Sequence, residues 1–455
     1  MLELQKQILV VKKLLKSGED CYLVGGAVRD SLLGRKIPDF DFVCNFDPRI
    51  IGRRLADQLS GAFYVMDEKR QTCRVIVAED SKASNSYDFA QMQGNLLEDL
   101  EKRDFTINAM VINLREMEEI IDPLKGGRDL QEKWLRPCSE LSFQSDPVRV
   151  IRAVRYAVDL KLKIEPETRK LLSNAVEALD QVSIERKRDE FFKILENQNT
   201  STSARLMIEF GILPQLGITG PGDNLNLLRM YELLTSSLLE NVAKPQRDFF
   251  TAATFLSAIA PFKSSLNPLY SSRNLNNHSR VQLGKFAALQ WNTRISSGSE
   301  HSLLNSFSTE EKKLMQTYST YMDTTIELLN HIGEIDARTA YHFFNQVGEY
   351  SIDLILLGVA WRARVPAAEL NQQGWLSVLT NAATLLDLWF YHPEISRPQL
   401  LLNGTEIMKE LNLDAGPLIG KLLEELKEEQ AAGGIRDFKS ALRWTKNRIS
   451  QLKAL

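Results

Sequence analysis

Residues 21–42 read CYLVGGAVRDSLLGRKIPDFDF, and this stretch decides the fold. CYLV (21–24) has the residues of a short strand, and it stops at Gly25-Gly26. The segment from Val28 to Leu33, closed by Gly34, then reads as a short helix. Two glycines between strand and helix let backbone approach a ligand closely, and the N–H groups at a helix start favour an anion such as a triphosphate. Gly26 belongs to that turn, and Arg29, in the first turns of the helix, stands where it can add a phosphate contact. No G-K-[ST] follows, so this is not a Walker A loop. Beyond Pro38 a second strand, FDFV (40–43), begins beside Asp39, and Asp39 and Asp41 fall at i and i+2. Their carboxylates share one face, with Cα atoms about 6.5 Å apart. Carboxylates at that spacing can converge on two divalent cations roughly 3.5–4 Å apart, the arrangement of in-line phosphoryl transfer. A bare D-x-D also fits an edge strand with its polar face in water, but the glycine turn upstream favours the cation reading.

Outward from this stretch, AFYVM (62–66), RVIVA (74–78) and YDFA (87–90) read as further strands. Residues 80–99 are polar and read as a mobile loop. DPLKGGRDL (122–130) is Gly-rich, reads as a turn and marks the end of the mixed α/β part. From Asp146 onward the spacing predicts helices over 147–159, 166–179, 184–197, 201–210, 224–240, 247–258, 309–332, 338–346, 351–362 and 374–390. KSSLNPLYSSRNLNNHS (263–279) and RISSGSEHS (294–302) read as surface loops, and HPEISRP (392–398) as a later boundary. The first twenty residues read as an amphipathic helix of mixed charge without the continuous apolar stretch of a secretory signal.

The chain has 455 residues, enough for two to four domains, and no apolar run approaches the roughly 20 residues of a membrane span. Cys21, Cys44, Cys73 and Cys138 are scattered without a C-x-x-C pair and read as buried thiols in a reducing cytoplasm. The histidines His278, His301, His331, His342 and His392 lie far apart, which removes the usual patterns of zinc hydrolases and HD-type phosphohydrolases. A net charge of −3 argues against indiscriminate polyanion binding, although 146–163 and 436–453 are locally basic. Either basic stretch, taken alone, fits a solvated helix face.

G-G-A-V-R-D followed by D-F-D resembles the nucleotidyltransferase superfamily, and the whole head resembles its class II members, the tRNA CCA-adding enzymes and bacterial poly(A) polymerases. RDFTINAM (103–110) is similar to the family's R-R-D-F-T-I-N-A, and DPLKGGRDL to its D-P-x-x-G-x-x-D-L. SDPVRVIRAVRY (145–156) resembles its E-D-x-x-R-x-x-R-A-x-R-F, and VSIERKRDEFFKIL (182–195) the motif after it. The five occur in the family's order across residues 21–195. LLNGTEIMKELNLDAGPLIG (401–420) resembles its tail. The resemblance implies an α/β nucleotidyltransferase head with a polymerase-β-like mixed sheet (1–135), then a mostly α-helical neck (136–200), body (201–395) and tail (396–455).

It also implies Mg2+ bound by Asp39 and Asp41, with ATP, CTP and the 3′ end of tRNA as partners; nothing points to a membrane or to a protein partner. Gly26 and Arg29 would hold the triphosphate, Arg103 the incoming nucleotide, and Asn108 the region of its sugar. RDFTINAM also fits helix-start chemistry, with Asp104 capping and Phe105, Ile107 and Met110 in the core. Asp146 and Arg149 lie three apart on a helix. One carboxylate acceptor and one guanidinium donor complement the pairing edges of cytosine and adenine and mismatch uracil and guanine. Such a site can reject the wrong base by about 10⁴–10⁵-fold. With Pro147 following, Asp146 equally fits an N-cap. Arg152 and Arg155 spiral around the same helix, to reach phosphate or RNA or to brace head against neck. Asp88, in YDF, is either a third carboxylate or a surface strand residue. Lys102 and Ser145 depart from the family's arginine and glutamate. The expected activity is CCA addition; CC-only or A-only addition, poly(A) synthesis and a catalytically inactive RNA-binding protein are the alternatives. Residues 80–99 lie where the family places the flexible element tied to the switch from C to A.

Overall fold

A computed structural model describes residues 2–37, 39–79, 83–117, 119–240, 248–272, 278–291, 302–365 and 370–453. Its mixed-sheet head and mostly helical remainder match the expected fold class. The chain divides into two units, Met1–Glu190 with Glu209–Gln215, and Phe191–Ile208 with Leu216–Leu455.

The first unit opens with α1 (Leu2–Lys13), β1 (Cys21–Val24), α2 (Gly26–Leu32) and β2 (Asp39–Cys44). α3 (Pro48–Leu59) starts where Pro48 follows Asp47, whose carboxylate accepts from the Arg49 backbone N–H at 2.9 Å. β3 (Ala62–Asp67), β4 (Thr72–Glu79) and β5 (Ala83–Gln91) follow, then α4 (Leu96–Glu101), β6 (Val111–Asn113) and β7 (Ile120–Ile121). The seven strands form one sheet in the order β3-β4-β5-β2-β1-β6-β7, antiparallel except for the parallel pair β2–β5.

Alternation along these strands gives the sheet two different faces. On one, Phe40, Phe42, Cys73, Val75, Tyr87 and Phe89 are buried with Ile51 and Leu55 of α3 and with Leu4, Ile8 and Val11 of α1. Phe40 stacks on Tyr87 at 5.3 Å and Phe42 on Phe89 at 4.9 Å, each pair directly opposite in the β2–β5 register. Such pairs contribute about 0.5–1.5 kcal/mol each beyond their burial, and a one-residue slip would move every one of them to the other face. The register that aligns these rings also sets Asp41 opposite Asp88 on the second face. There, Val24, Val43 and Val111 pack under Leu96 and Leu100 of α4. Cys21, Cys44 and Cys73 are buried free thiols, as expected.

Three loop expectations are corrected. Residues 83–91 of the supposed loop 80–99 are β5, paired with β4 from Glu79↔Ala83 to Thr72↔Ala90, and 96–101 are α4; residues 80–82 lie outside the described residues. The ladder, not an apolar pattern, recruits the polar residues Ser84, Asn85 and Ser86 into a strand. GGRDL within DPLKGGRDL is not a turn but the start of α5 (Gly126–Glu132), capped by Asp122, which accepts from Gly126 N at 2.7 Å and Gly127 N at 2.9 Å. A side chain at Gly126 would collide with the Thr106 carbonyl, so α5 packs against RDFTINAM only through glycine. The supposed loop 263–279 is helical over Lys263–Ser271, because Leu266 and Tyr270, four apart, bury one face; 273–277 lie outside the described residues. Most of the other expected break, 294–301, also lies outside them.

β8 (Trp134–Leu135) then pairs with β9 (Lys163–Ile164) around α6 (Ser142–Ser145) and α7 (Arg149–Asp159). α8 (Pro166–Ala175) and α9 (Ile184–Glu196) follow. In the second unit, helix Ser351–Ala363 is buried on nearly every side among helices Leu225–Glu240, Thr309–Leu329 and Gln372–Tyr391. Its buried Asp353 is held by Tyr270 at 3.0 Å and by Arg280. Helices Gly404–Leu411, Pro417–Ala431 and Phe438–Lys453 share a smaller core around Leu402, Ile407 and Leu426. Among the described residues no helix is long and apolar enough to cross a membrane.

Phe42→Ala should lower the unfolding free energy by about 3–5 kcal/mol, the usual loss for a buried phenylalanine, measured by urea unfolding followed at the sheet's circular dichroism. A cost below roughly 1 kcal/mol would mean that the ring is not fixing the ladder.

Candidate active site

Gly25 ends β1 at φ +75°, a left-handed conformation that favours glycine. A Cβ there would stand 3.3 Å from Asp41 Oδ2 and 3.6 Å from Arg103 Nη1. The glycine turn therefore faces Asp41 closely, and Arg103 reaches both. Among the described residues, neither the Asp39 nor the Asp41 carboxylate has a hydrogen-bond or ion-pair partner. Burial first, then the charge of Asp88, raises Asp39 above the ordinary carboxyl range. The same two causes push Asp41 up to about 6, against the pull of Arg103. Acids raised by burial and by a neighbouring carboxylate in this way favour a cation beside them.

Asp88 lies on the same face, but Arg74 of β4 holds it in a bidentate pair at 2.7 and 2.6 Å. Among the described residues no three acidic, histidine or cysteine side chains converge as a ready metal cage. Asp39 and Asp41 are thus the open pair, and Asp88 stands next to them with its charge already matched.

Arg29 and Asn108 face inward. Arg29 donates to Asp30 at 2.9 and 2.8 Å and to Asn108 Oδ1 at 2.5 Å, with its guanidinium 5.2 Å from the Tyr156 ring centre. Asn108 donates to Asp104 Oδ1 at 3.0 Å, and Asp104 also accepts from the Phe105 backbone N–H at 2.8 Å. Phe105, Ile107 and Met110 are fully buried, as the packing reading of RDFTINAM expects, but Asp104 does not cap the turn Thr106–Asn108. Arg152 donates to Asp104 Oδ2 at 2.7 and 3.0 Å and to Glu190 at 2.9 Å, while Arg155 meets Glu190 at 3.1 Å. Of the two uses foreseen for Arg152 and Arg155, the geometry is that of a brace. Burial pushes the Asp104 carboxyl up, but the Arg152 charge and the bonds from Asn108, Arg152 and Phe105 outweigh it and hold the group below its ordinary range.

Asp146 precedes α7, at φ −151° and ψ 92°, and its side chain does not cap the helix. It accepts from Arg186 of α9 at 2.9 and 3.1 Å instead. Arg149 is fixed separately, donating to the Lys102 carbonyl at 2.6 Å, the Arg103 carbonyl at 3.1 Å and Ser142 Oγ at 2.8 Å. Asp146 and Arg149 are therefore held by separate partners. Both residues nevertheless line one cleft of about 1280 Å³ with Arg103, Lys102 and Arg186. Sequence reasoning missed Arg186 and Glu190, although they stand four apart within VSIERKRDE and share a helix face. It also missed Arg74, for which no local signal exists.

The mixed-sheet head, with two acids set beside a glycine turn, is that of a nucleotidyltransferase. Residues 21–136 match the family described as the poly A polymerase head domain, and residues 161–217 the one described as the probable RNA and SrmB-binding site of polymerase A. The CC-adding tRNA nucleotidyltransferase of Synechocystis sp. is 28% identical over 92% of this chain and 91% of its own length. The A-adding tRNA nucleotidyltransferase of Deinococcus radiodurans is 29% identical over 91% and 92%. A solved structure of a CCA-adding enzyme with ATP aligns at a TM-score of 0.66 and 20% identity over 99% of this chain and 96% of that one, a likeness of fold. Residues 21–136 thus carry a poly A polymerase head, and over nine-tenths of its length the chain is similar to tRNA nucleotidyltransferases.

Arg152→Ala should cost about 3 kcal/mol at pH 7, the low end for breaking a buried pair, because Arg152 keeps a quarter of its side chain in water. Asp104 sits below its ordinary range in the folded protein, so its contribution is present above the unfolded value of about 3.9 and is lost as pH falls through the folded one. Urea unfolding at pH 7 and near pH 3 should therefore show the gap between variant and parent narrowing in acid.

Proposed function

We propose that this enzyme adds nucleotides to the 3′ end of tRNA in the cytoplasm without a nucleic-acid template, building or repairing CCA from CTP and ATP. The observation that carries this reading is the open acid pair Asp39–Asp41 against the Gly25–Gly26 turn, next to a cleft holding Asp146 and Arg149. The full-length relatives support tRNA as the acceptor.

In this proposal Asp39 and Asp41 hold Mg2+, which when bound lowers the pKa of the RNA hydroxyl and steadies the leaving pyrophosphate. The Gly25–Gly26 turn and Arg103 seat the triphosphate. Arg29 acts through its bonds to Asp30 and Asn108, keeping the turn and the nucleotide floor rigid. Asp146 accepts from the amino group of cytosine or adenine, while Arg149, anchored by two carbonyls, donates to the ring nitrogen. The RNA 3′-hydroxyl attacks the α-phosphate; the new P–O bond forms as the bond to pyrophosphate breaks, and the hydroxyl proton passes to solvent. Residues 1–135 act as catalytic head, 136–200 as base-reading neck, 201–395 as the helical body along which the tRNA lies, and 396–455 as a tail whose basic end after Arg436 contacts RNA.

One observation favours a second reading, CC-only addition. Over its described residues, 83–99, the segment that the resemblance ties to the switch from C to A is β5 and the start of α4, with residues 92–95 alone of these outside regular structure. Four residues offer little freedom to reshape a site between two bases.

Purified enzyme with Mg2+ and tRNAs ending before CCA, after the first C and after CC should extend each with CTP and ATP; extension that stops after CC selects the second reading. Asp39→Ala and Asp41→Ala should each slow extension by about a thousandfold or more, the scale of several kcal/mol of lost transition-state stabilisation. Extension at the parent rate in either variant would overturn the proposal.

A further inference from the structure

The faces on either side of the acid pair differ. Toward β1 lies the Gly25–Gly26 turn, and the second face of the sheet is roofed there by Leu96 and Leu100 of α4. Toward β5, β4 and β3 the same face lies open. Strand register sets one row across it: Asp41 opposite Asp88, Asp88 opposite Arg74, and Arg74 opposite Tyr64. Paired residues share a face, so all four side chains stand on the side away from α3. Tyr64, on the edge strand, presents a half-exposed ring, 51% open to solvent, at the end of this row.

In-line displacement requires the attacking oxygen and the leaving pyrophosphate on opposite sides of the reacting phosphorus. With the triphosphate on the glycine side, the acceptor must come in over β5 and its neighbours. We propose that this open row is the track of the RNA 3′ end, with Tyr64 as the platform on which a base of the acceptor strand stacks and Arg74 as the cation beneath its backbone. The inference rests on the nucleotidyltransfer reading above and adds to it the place of the second substrate. Three strand spacings separate Asp41 from Tyr64, roughly 14 Å. That span suits a base one or two nucleotides behind the attacking one. Stacking accepts any base, which fits an enzyme whose acceptor end changes at each addition. Arg74 already neutralises Asp88, so the row gives a passing phosphate a cation and no net repulsion from the third acid.

Tyr64→Ala and Tyr64→Phe separate a stacking ring from an edge-strand residue, and steady-state extension of tRNA lacking CCA reads the result. Tyr64→Ala should raise the KM for tRNA by about tenfold, within the worth of one base–aromatic stack, with the KM for CTP unchanged. Tyr64→Phe keeps the ring and should match the parent. An unchanged KM for tRNA in Tyr64→Ala, an equal rise in both KM values, or a Tyr64→Phe as impaired as Tyr64→Ala overturns the track while leaving nucleotidyl transfer intact. A parent enzyme that extends no tRNA in the same assay overturns the function itself, and the track with it.

Discussion

The aromatic pairs between β2 and β5 are the constraint on which the site depends. Phe40 and Phe42 can stack on Tyr87 and Phe89 only in one register, and alternation then leaves Asp41 and Asp88 side by side on the opposite face. The acids gain nothing from this closeness by themselves, since after burial the charge of Asp88 raises both Asp39 and Asp41 above the ordinary carboxyl range. Apolar packing on one side of the sheet holds together charges that would otherwise separate on the other.

A second constraint fixes the surroundings. Asp30, Arg29, Asn108, Asp104, Arg152, Glu190 and Arg155 form one continuous chain of hydrogen bonds and ion pairs, running from α2 through the RDFTINAM turn to α7 and α9. Most of its members are largely buried, and each charge is met by an opposite one. Such a network holds geometry more than it adds stability, because removing one member leaves its neighbours charged and unmatched. Several residues that the motifs single out thus shape the site from behind.

Much of the head was legible because its signals are local. CYLV, the glycine turn and D-F-D each carry their own pattern, and the structure returns β1, α2 and β2 within a residue or two of the expected bounds. The long apolar-periodic helices of the second unit were legible for the same reason. What failed was decided by distant partners. Ser84 to Ser86 become strand because β4 offers a ladder, and KSSLNPLYS becomes helix because Leu266 and Tyr270 find a core, although Pro268 sits within it. In the site, the spacing placed Asp146 on or capping the helix of Arg149, but Asp146 stands just before that helix without capping it and meets Arg186, forty residues on. Arg74 had no signal at all, since its meaning lies in the strand opposite.

The chain's route also bears on how the molecule can be taken apart. The first unit is not contiguous: after Glu190 the polypeptide departs and contributes again only at Glu209–Gln215. That returning heptad is fastened by Arg169 of α8, which pairs with Glu209 and lies over the Phe210 ring at 4.7 Å, and by Lys187, whose ammonium donates to the Gln215 carbonyl at 3.4 Å. Ile212 and Leu213 within it are wholly buried. Dissection at a single point therefore cannot release the catalytic part whole. A fragment ending at residue 190 would expose the apolar seat of those two side chains, whereas one running to residue 215 would carry the helix Thr200–Glu209 as a partly stranded passenger.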